Sequence, residues 1–297
     1  MALISSKPLG TLIRVADSDG GNGAANYEIA DINNLVPGGV VLVRKDIYSN
    51  SRFGSNPNYP NGTLDNLIKT TIYNKMPQKL RDKMMDVTFN LYDSGDITRK
   101  MFALTYTMAG FGNNSGVAEG KALQLYTSDA SRIKTFNGSA VRWWLSSLYP
   151  TQPSSDNVWV VYSDGSASGN SSSFTLGVVP AFAIPQSVML EDSANTDGSY
   201  NIKDTKKISC TVNMGNAEEQ PKAALPIISC NGNLTLKICN NANDANPAWE
   251  TATNETVHNF ANTTKTAAQW AVGLKIDITR TAGENLFLNE PVVLAMK

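Results

Sequence analysis

Apolar and polar residues alternate most regularly near the end of the chain, in the stretch WAVGLKIDITR at 270–280. Successive side chains of a β-strand point to opposite faces of its sheet, so every second residue shares a face. The residues on the apolar face are Trp270, Val272, Leu274, Ile276 and Ile278. A shorter stretch, NLTLKIC at 233–239, has the same period. Both stretches predict strands packed on the core of a β-sandwich.

A helical period appears in TLDNLIKTTIYNKM, residues 63–76, where leucine and isoleucine recur three or four residues apart. Pro77 interrupts it, and the following PQKLRDKMM predicts a second short helix with proline in its first turn. From Val87 onwards the stretches VTFNLY, MFALTYTM, VRWWLSS and NVWVVYSDGSAS predict strands, with a tight turn at Asp164-Gly165. Helices followed by an antiparallel sheet predict an α+β domain.

The stretch LEDSANTDGSYNIKDTKK, residues 190–207, is polar and rich in turn-forming residues. Such composition is typical of a boundary between domains. We therefore expect an α+β domain at 1–200 and a β-sandwich domain at 205–297.

Two adjacent tryptophans, Trp143 and Trp144, stand in the predicted strand RWWL. Neighbouring strand residues point to opposite faces, so both faces of this strand need cover. Large aromatic side chains contribute mostly to cores. We expect both rings to be buried and neither to bind a ligand.

Composition excludes several classes of partner. With 25 basic and 26 acidic side chains among 297 residues, the net charge is −1, which argues against binding to nucleic acid or to an anionic membrane. No long apolar run spans a membrane, and the first residues, MALISSKPLG, do not resemble an export signal. The three cysteines, Cys210, Cys230 and Cys239, do not form a disulfide framework and fit folding in a reducing cytoplasm.

Residues for catalysis or metal binding are scarce. His258 is the single histidine, which excludes a multi-histidine metal site. In DSDGGNGAANYE the pair Asp17 and Asp19 precedes Glu28 at the spacing of a calcium loop, but the glycine that the loop needs at its sixth position is missing. We expect no metal, no cofactor and no enzymatic activity.

The first two-thirds of the chain resembles a domain common in phages and prophages of Gram-positive bacteria, whose signature reads WWLRSP, then SDG, then GVRPAF. The matching stretches are WWLSS from Trp143, VWVVYSDGSAS at 158–168 and LGVVPAF at 176–182. Further similarity lies in GVVLVRKDIY, YPNGTLDNLIKTTIYNKM, MFALTYTM and AEGKALQLY, so that the resemblance covers residues 8–190. Ser146, Leu148 and Val179 depart from the signature, which has arginine, proline and arginine there.

That signature is similar in layout to C-type-lectin-like domains, including the variable-tip proteins with which some phages attach to hosts. The resemblance implies that residues 1–200 form a C-type-lectin-like α+β display domain. The calcium-ligating tripeptides of sugar-binding animal lectins are missing, since QPS at 152–154 lacks the carboxylate. Calcium-dependent glycan binding is therefore not expected.

The second domain resembles a C-terminal β-domain of virion proteins from the same phages. The match runs through CNNANDANPAWETAT and HNFANTTKTAAQWAVGLKIDITR. It is carried by Asn240, Asp244, Pro247, Trp249, Asn262, Thr263, Thr264, Lys265, Thr266 and Trp270. The resemblance implies a virion-anchoring role for residues 205–297.

Together these resemblances predict a non-enzymatic bacteriophage virion protein, assembled in the host cytoplasm and released by lysis. We expect it on the virion surface, in many symmetric copies bound to capsid or tail subunits, with a host-surface glycan or protein as a further ligand. The candidate binding surface is a polar, aromatic loop layer. Its residues are Tyr149, Ser154, Ser155, Asp156, Asn157, Trp159, Tyr162, Ser168, Asn170 and Ser171.

Three alternatives remain open from the sequence. The chain is a dedicated tail receptor-binding adhesin, a structural cement protein without affinity for cells, or a cell-wall hydrolase that uses carboxylates such as Asp129, Asp156 and Asp164. A hydrolase needs an opposed acid and base, and no pattern in the sequence selects such a pair.

Overall fold

The computed structural model describes residues 2–16, 23–150, 156–203, 205–281 and 288–296. The chain divides into two compact units, Met1–Ile202 and Lys203–Lys297. β-Strands account for 45% of the structure and helix for 9%. No helix among the described residues is long and apolar enough to cross a membrane.

The strands of the first unit are short and numerous. They are β1 Ala2–Leu3, β2 Leu12–Ala16, β3 Ala24–Ile32, β4 Gly39–Arg44, β5 Ser49–Arg52, β6 Val87–Leu91, β7 Gly95–Arg99, β8 Met101–Ala103, β9 Lys134–Phe136, β10 Ser139–Val141, β11 Trp143–Leu148, β12 Asn157–Val161, β13 Ala167–Ser171, β14 Thr175–Val178, β15 Pro180–Pro185, β16 Met189–Leu190 and β17 Tyr200–Asn201.

Two larger sheets organise these strands. One sheet has the order β17-β2-β3-β4-β15-β8, and the other has the order β13-β12-β11-β14-β5. In the first sheet β4 lies between two neighbours and all six of its residues are buried. Its sequence GVVLVR is almost continuously apolar, as a strand covered on both faces requires. The core of the unit therefore surrounds this strand.

The helical segments of the first unit are short. They are a 3-10 turn at Ile4–Ser6, α1 Thr63–Asn66, a π-helical stretch Leu67–Ile72, α2 Tyr73–Lys75, α3 Gln78–Arg81 and α4 Asp129–Arg132. The predicted helix over 63–76 is present in these pieces, with Leu64, Ile68 and Ile72 buried. Met76 is already extended, so the helix ends just before Pro77, because a residue that precedes proline disfavours the α conformation.

Both tryptophans of β11 are fully buried, which confirms the predicted burial of the two rings. The Trp143 indole N–H donates to the carbonyl of Arg132 at 3.0 Å, and that of Trp144 donates to the carbonyl of Ser51 at 2.8 Å. Trp144 also meets the ring of Phe53 edge-on, with centroids 5.6 Å apart. Each ring thus packs in a core and satisfies its one polar atom, as buried tryptophan requires.

The second unit consists of two sheets that share one core. Its strands are β18 Thr205–Ala217, β19 Ala223–Ile227, β20 Asn233–Cys239, β21 Glu250–Ala252, β22 His258–Asn259, β23 Trp270–Thr281 and β24 Val292–Met296. The sheet orders are β18-β23-β20-β21 and β22-β19-β24. The alternation seen in the sequence is confirmed, because the apolar residues of β23 and β20 line this core. The cysteines are free thiols.

The prediction of an α+β C-type-lectin-like domain followed by an all-β sandwich domain is wrong. The fraction of residues in strands is five times the fraction in helices, and the strands are divided among several small sheets. The described residues show no helical lectin-like layout. The periodicity at 63–76 identifies a real local helix, but only one short helical run results from it. A local period therefore did not determine the arrangement of the surrounding strands, which depends on contacts distant in sequence.

Replacing Gly165 with alanine is expected to lower the free energy of unfolding by about 1–3 kcal/mol. Gly165 has a φ of +88°, and a Cβ atom there would lie 1.9 Å from the carbonyl oxygen of Asp129. Gly198→Ala is the matched control, because its φ is +80° but a Cβ would meet no atom within 4 Å. Urea unfolding should show the larger loss for Gly165→Ala. Equal losses would contradict the close approach to Asp129.

Candidate functional site

A long loop, residues 104–128, joins β8 to α4 and forms one side of the candidate site. Side chains within the loop hold its backbone. The Thr105 hydroxyl donates to the carbonyl of Glu119 at 2.5 Å and accepts from the Met108 N–H at 3.0 Å. The Glu119 N–H donates to the Thr107 hydroxyl at 3.0 Å. The loop is therefore fixed by its own hydrogen bonds, and loops of this length are often functional.

Four aromatic rings, Phe111, Tyr106, Trp159 and Tyr149, form a continuous row that we call the aromatic ladder. Phe111 stacks on Tyr106 with centroids 5.2 Å apart, and Tyr106 lies 4.1 Å from Trp159. Tyr149 meets Trp159 edge-on at 4.4 Å. All four residues are half-buried, so each retains some contact with solvent. Aromatic pairs in these geometries are favourable beyond the area they bury.

The ends of the ladder are also fixed. At one end the Arg132 guanidinium lies 4.1 Å over the Phe111 ring, a cation–π contact. Arg132 also donates to the Ala109 carbonyl at 2.5 Å and to the Asp129 carboxylate at 2.9 Å. At the other end the Tyr149 ring packs on Gly169, where a Cβ atom would lie 2.8 Å from the ring. Glycine at position 169 is thus required for this contact.

Buried polar groups lie behind the ladder. The Trp159 indole N–H donates to the Asn114 amide oxygen at 3.1 Å, and the Asn114 amide nitrogen donates to the Glu119 carboxylate at 3.2 Å. Glu119 also accepts from the Tyr92 N–H at 2.9 Å and from the Ser147 hydroxyl. The Ser147 hydroxyl accepts in turn from the Tyr106 N–H at 2.8 Å. This network joins the loop to β11 and β12.

Glu119 is a buried carboxyl whose hydrogen-bond donors are all neutral. Its exposed fraction is 0%, and burial raises its pKa even though the bonds from Ser147, Tyr92 and Asn114 oppose that shift. A catalytic carboxylate must reach its substrate, and this side chain is closed off from solvent. Through Asn114, Glu119 supports the Trp159 ring of the ladder.

The structure brings together two of the predicted site residues, Tyr149 and Trp159, in the ladder. In the antiparallel pairing of β12 with β13, Trp159 lies opposite Gly169 and Asn157 lies opposite Ser171. Residues two apart in a strand share a face, so Asn157 and Ser171 lie on the face of Trp159.

Ser168 and Asn170 lie on the opposite face of the sheet from Trp159. They pair with the buried residues Val160 and Val158. The expectation of a single loop layer is therefore wrong for β13, because Ser168, Asn170 and Ser171 lie in a strand. The alternation of strand side chains divides the predicted polar set between the two faces.

The remaining predicted residues lie around the ladder or outside the described part of the chain. Asp156 precedes β12 and is exposed, and Tyr162 follows β12 with the Arg142 guanidinium 4.1 Å over its ring. Ser154 and Ser155 lie outside the described residues, as do Asp17 and Asp19 of the calcium-loop hypothesis.

Two of the three carboxylates considered for hydrolysis have local partners, and the third, Asp156, is exposed just before β12. Asp129 bonds Arg132, and Asp164 accepts from the Ser166 N–H at 3.0 Å and from the Ser166 hydroxyl at 2.7 Å. The bonds from Ser166 lower the pKa of Asp164. Within the described ranges no three histidine, cysteine or acidic side chains are grouped to hold a metal ion.

Sequence reasoning missed Tyr106, Phe111, Asn114 and Glu119. MFALTYTM was predicted to be one strand, but β8 ends at Ala103 and Tyr106 belongs to the long loop. The stretch GFGNNSG, residues 110–116, contains Phe111 and Asn114 and has neither a helical nor a strand period. The contact from Tyr106 to Trp159 joins segments remote in sequence, so no local spacing indicates it.

The comparisons with known proteins identify the family without assigning a role. No curated protein and no solved structure matches the chain. A family model described as a domain of unknown function, DUF6273, matches residues 38–186. The match covers half of the chain and includes β11, β12, the long loop and all four rings of the ladder. The chain therefore belongs to the DUF6273 family.

Proposed function

We propose that the chain is a non-enzymatic structural protein of a bacteriophage particle, and that its first unit binds a saccharide of the host surface through the aromatic ladder. The observation that carries this proposal is the row of four half-buried rings, held in place by a sheet and a hydrogen-bonded loop. The phage part of the proposal rests on the sequence resemblance of residues 8–190 and of the second unit to phage proteins.

The chemistry of the ladder fits a neutral, hydroxylated ligand. Aromatic rings offer apolar contact for the C–H groups of a sugar, while tyrosine hydroxyls supply hydrogen bonds. Burial raises the pKa of Tyr106, and the neighbouring Tyr149 raises it further, so the Tyr106 phenol stays protonated and can donate a hydrogen bond. Asn157 and Ser171 add amide and hydroxyl groups on the same face. These groups favour recognition by hydrogen bonding without charge.

The second unit offers a surface for attachment to the particle. The side chains of Ile227, Val292, Leu294 and Met296 are exposed, and they lie on one face of the paired strands β19 and β24. Among the described residues β24 pairs with β19 alone, which leaves its other edge unpaired. An apolar face beside an open strand edge favours docking on other proteins. We propose that capsid or tail subunits cover it, in many symmetric copies.

Replacing Leu294 with lysine is expected to reduce incorporation of the full-length chain into particles at least about tenfold, which corresponds to roughly 1.4 kcal/mol. Leu294 is 52% exposed, so the charge does not disturb a core but disfavours burial against a partner. Val257→Lys is the matched control, because Val257 is 48% exposed in the same unit and lies outside β19 and β24.

The measurement is the amount of tagged chain in purified particles, with gold-labelled antibody to locate it. The proposal is supported if the antibody labels particles with the wild-type chain and with Val257→Lys but not particles with Leu294→Lys. The position of the label on head or tail distinguishes a decoration protein from a tail adhesin. Failure to detect the tagged wild-type chain in purified particles would contradict the virion assignment. Equal incorporation of both lysine variants would contradict the attachment surface.

A further inference from the structure

Arg44, the last residue of β4, is a buried arginine that lacks an acidic partner. Its exposed fraction is 6%. Among the described residues it donates one hydrogen bond, from Nη1 to the carbonyl of Asp46 at 2.9 Å, and no carboxylate lies within ion-pair distance. Its Nε atom is buried without a hydrogen-bond partner. A guanidinium has five N–H donors, so most of its capacity is unused.

This arginine lines a cavity of about 440 Å³. The cavity lies between the end of β4 and the β9–β10 hairpin, and its other lining residues are Asp46, Ile47, Tyr48, Thr135, Phe136, Asn137 and Gly138. The Tyr48 ring centroid is 5.3 Å from the guanidinium carbon. The hairpin turn is formed by Asn137 and Gly138, both with positive φ, as a tight two-residue turn requires. The cavity wall is therefore built from regular elements.

Arg44 forms no ion pair with the neighbouring carboxylates. The nearby Glu28 carboxylate is shared by two lysines, Lys45 at 2.7 Å and the buried Lys134 at 2.5 Å. The Asp46 carboxylate accepts from the Thr135 hydroxyl, and Arg44 bonds only the backbone of Asp46. Three cations thus accompany two carboxylates in this region. A buried cation without an anion is costly, and an oxyanion in the cavity would supply the missing acceptor.

We propose that this cavity is an oxyanion-binding site in which Arg44 binds a carboxylate or phosphate group carried by a hydroxylated ligand. The planar guanidinium binds such groups with paired N–H donors. Thr135 and Asn137 line the same cavity, so their hydroxyl and amide groups are placed to bind hydroxyls of that ligand. This site is separate from the aromatic ladder, and its occupation does not depend on the role of the ladder.

The test is titration of the ¹⁵N-labelled full-length chain with inorganic phosphate, glucuronate and the neutral sugar glucose in low-chloride buffer. The readout is the set of arginine Nε–H signals. We expect saturable shifts of the Arg44 signal with phosphate, glucuronate or both, and none with glucose. The anion with the lower dissociation constant shows whether the ligand carries a phosphate or a carboxylate group. A wild-type chain that binds neither anion saturably overturns the proposal.

Two variants of Arg44 and a matched control test whether Arg44 binds the anion. Arg44→Gln removes the charge, and Arg44→Lys keeps a charge without the paired donors, so the folded lysine variant serves if the glutamine variant unfolds. We expect the dissociation constant to rise at least about tenfold in both. Arg52→Gln removes an exposed arginine and should leave the constant within about twofold. Equal affinity in the Arg44 and Arg52 variants would overturn the site assignment.

Discussion

Replacing Trp159 with alanine is expected to weaken binding of the full-length chain to host cells about thirtyfold, equivalent to the roughly 2 kcal/mol of an aromatic hot spot. Trp159 contacts two other rings of the ladder, Tyr106 and Tyr149, and its indole N–H satisfies the buried Asn114 oxygen. Its removal therefore separates the loop side of the surface from the strand side. The measurement is saturation binding of fluorescently labelled protein to cells.

Trp159→Phe separates loss of the surface from loss of the fold. Phenylalanine keeps an aromatic face against Tyr106 but lacks the N–H that bonds Asn114. We expect this variant to lose about tenfold or less in affinity, while circular dichroism of both variants remains that of the wild type. Wild-type affinity in Trp159→Ala would contradict a role for the ladder in binding.

Replacing Glu119 with alanine is expected to lower the free energy of unfolding by about 2–4 kcal/mol. The change leaves the Tyr92 N–H, the Asn114 amide and the Ser147 hydroxyl without the carboxylate that accepts from them. Buried donors without an acceptor retain the cost of leaving water. Denaturant unfolding measures the loss. A loss below about 0.5 kcal/mol, as for an ordinary surface substitution, would contradict the buried network.

Glu119→Gln tests the ionisation of the same side chain. Burial raises the pKa of Glu119 in the folded state above its usual value of 4.5, so the folded chain holds this proton more tightly than the unfolded chain does. Glu119 therefore favours folding most at low pH, and this contribution falls as the pH rises from about 4.5 through the raised pKa. Glutamine does not ionise in this range. We expect the stability of Glu119→Gln relative to wild type to increase with pH, whereas a constant difference would contradict the raised pKa.

The strands of the second unit were predictable because their signal is local. In β23 the residues Val272, Leu274, Ile276 and Ile278 alternate and are buried, as the period of a strand with one apolar face demands. The burial of Trp143 and Trp144 was predictable for a similar reason, since adjacent large rings on one strand require cover on both faces.

The arrangement of the first unit was not predictable from local pattern. The helical period at 63–76 is real, but a π-helical stretch interrupts it, and most of the unit consists of short strands. Several sheet neighbours are distant in sequence, such as β5 beside β14 and β4 beside β15. Pairings of this kind depend on tertiary contacts that no period in the sequence records.

The candidate site was predicted in part, for the same physical reason. Tyr149 and Trp159 belong to strands or strand ends and could be named as aromatic residues near polar ones. Tyr106 and Glu119 lie in a loop whose conformation is set by side-chain hydrogen bonds, such as that from Thr105 to the Glu119 carbonyl. Nothing in the spacing of these residues indicates that they meet Trp159 and Ser147.

We propose that the first unit binds a host-surface saccharide without cleaving it. The most direct measurement compares saturation binding of the full-length chain to intact host cells and to cells whose surface sugars have been oxidised with periodate, while soluble sugar in the supernatant is assayed. We expect saturable binding that is lost after oxidation, with no release of sugar fragments. Undiminished binding to oxidised cells, or steady release of fragments by the purified chain, would contradict it.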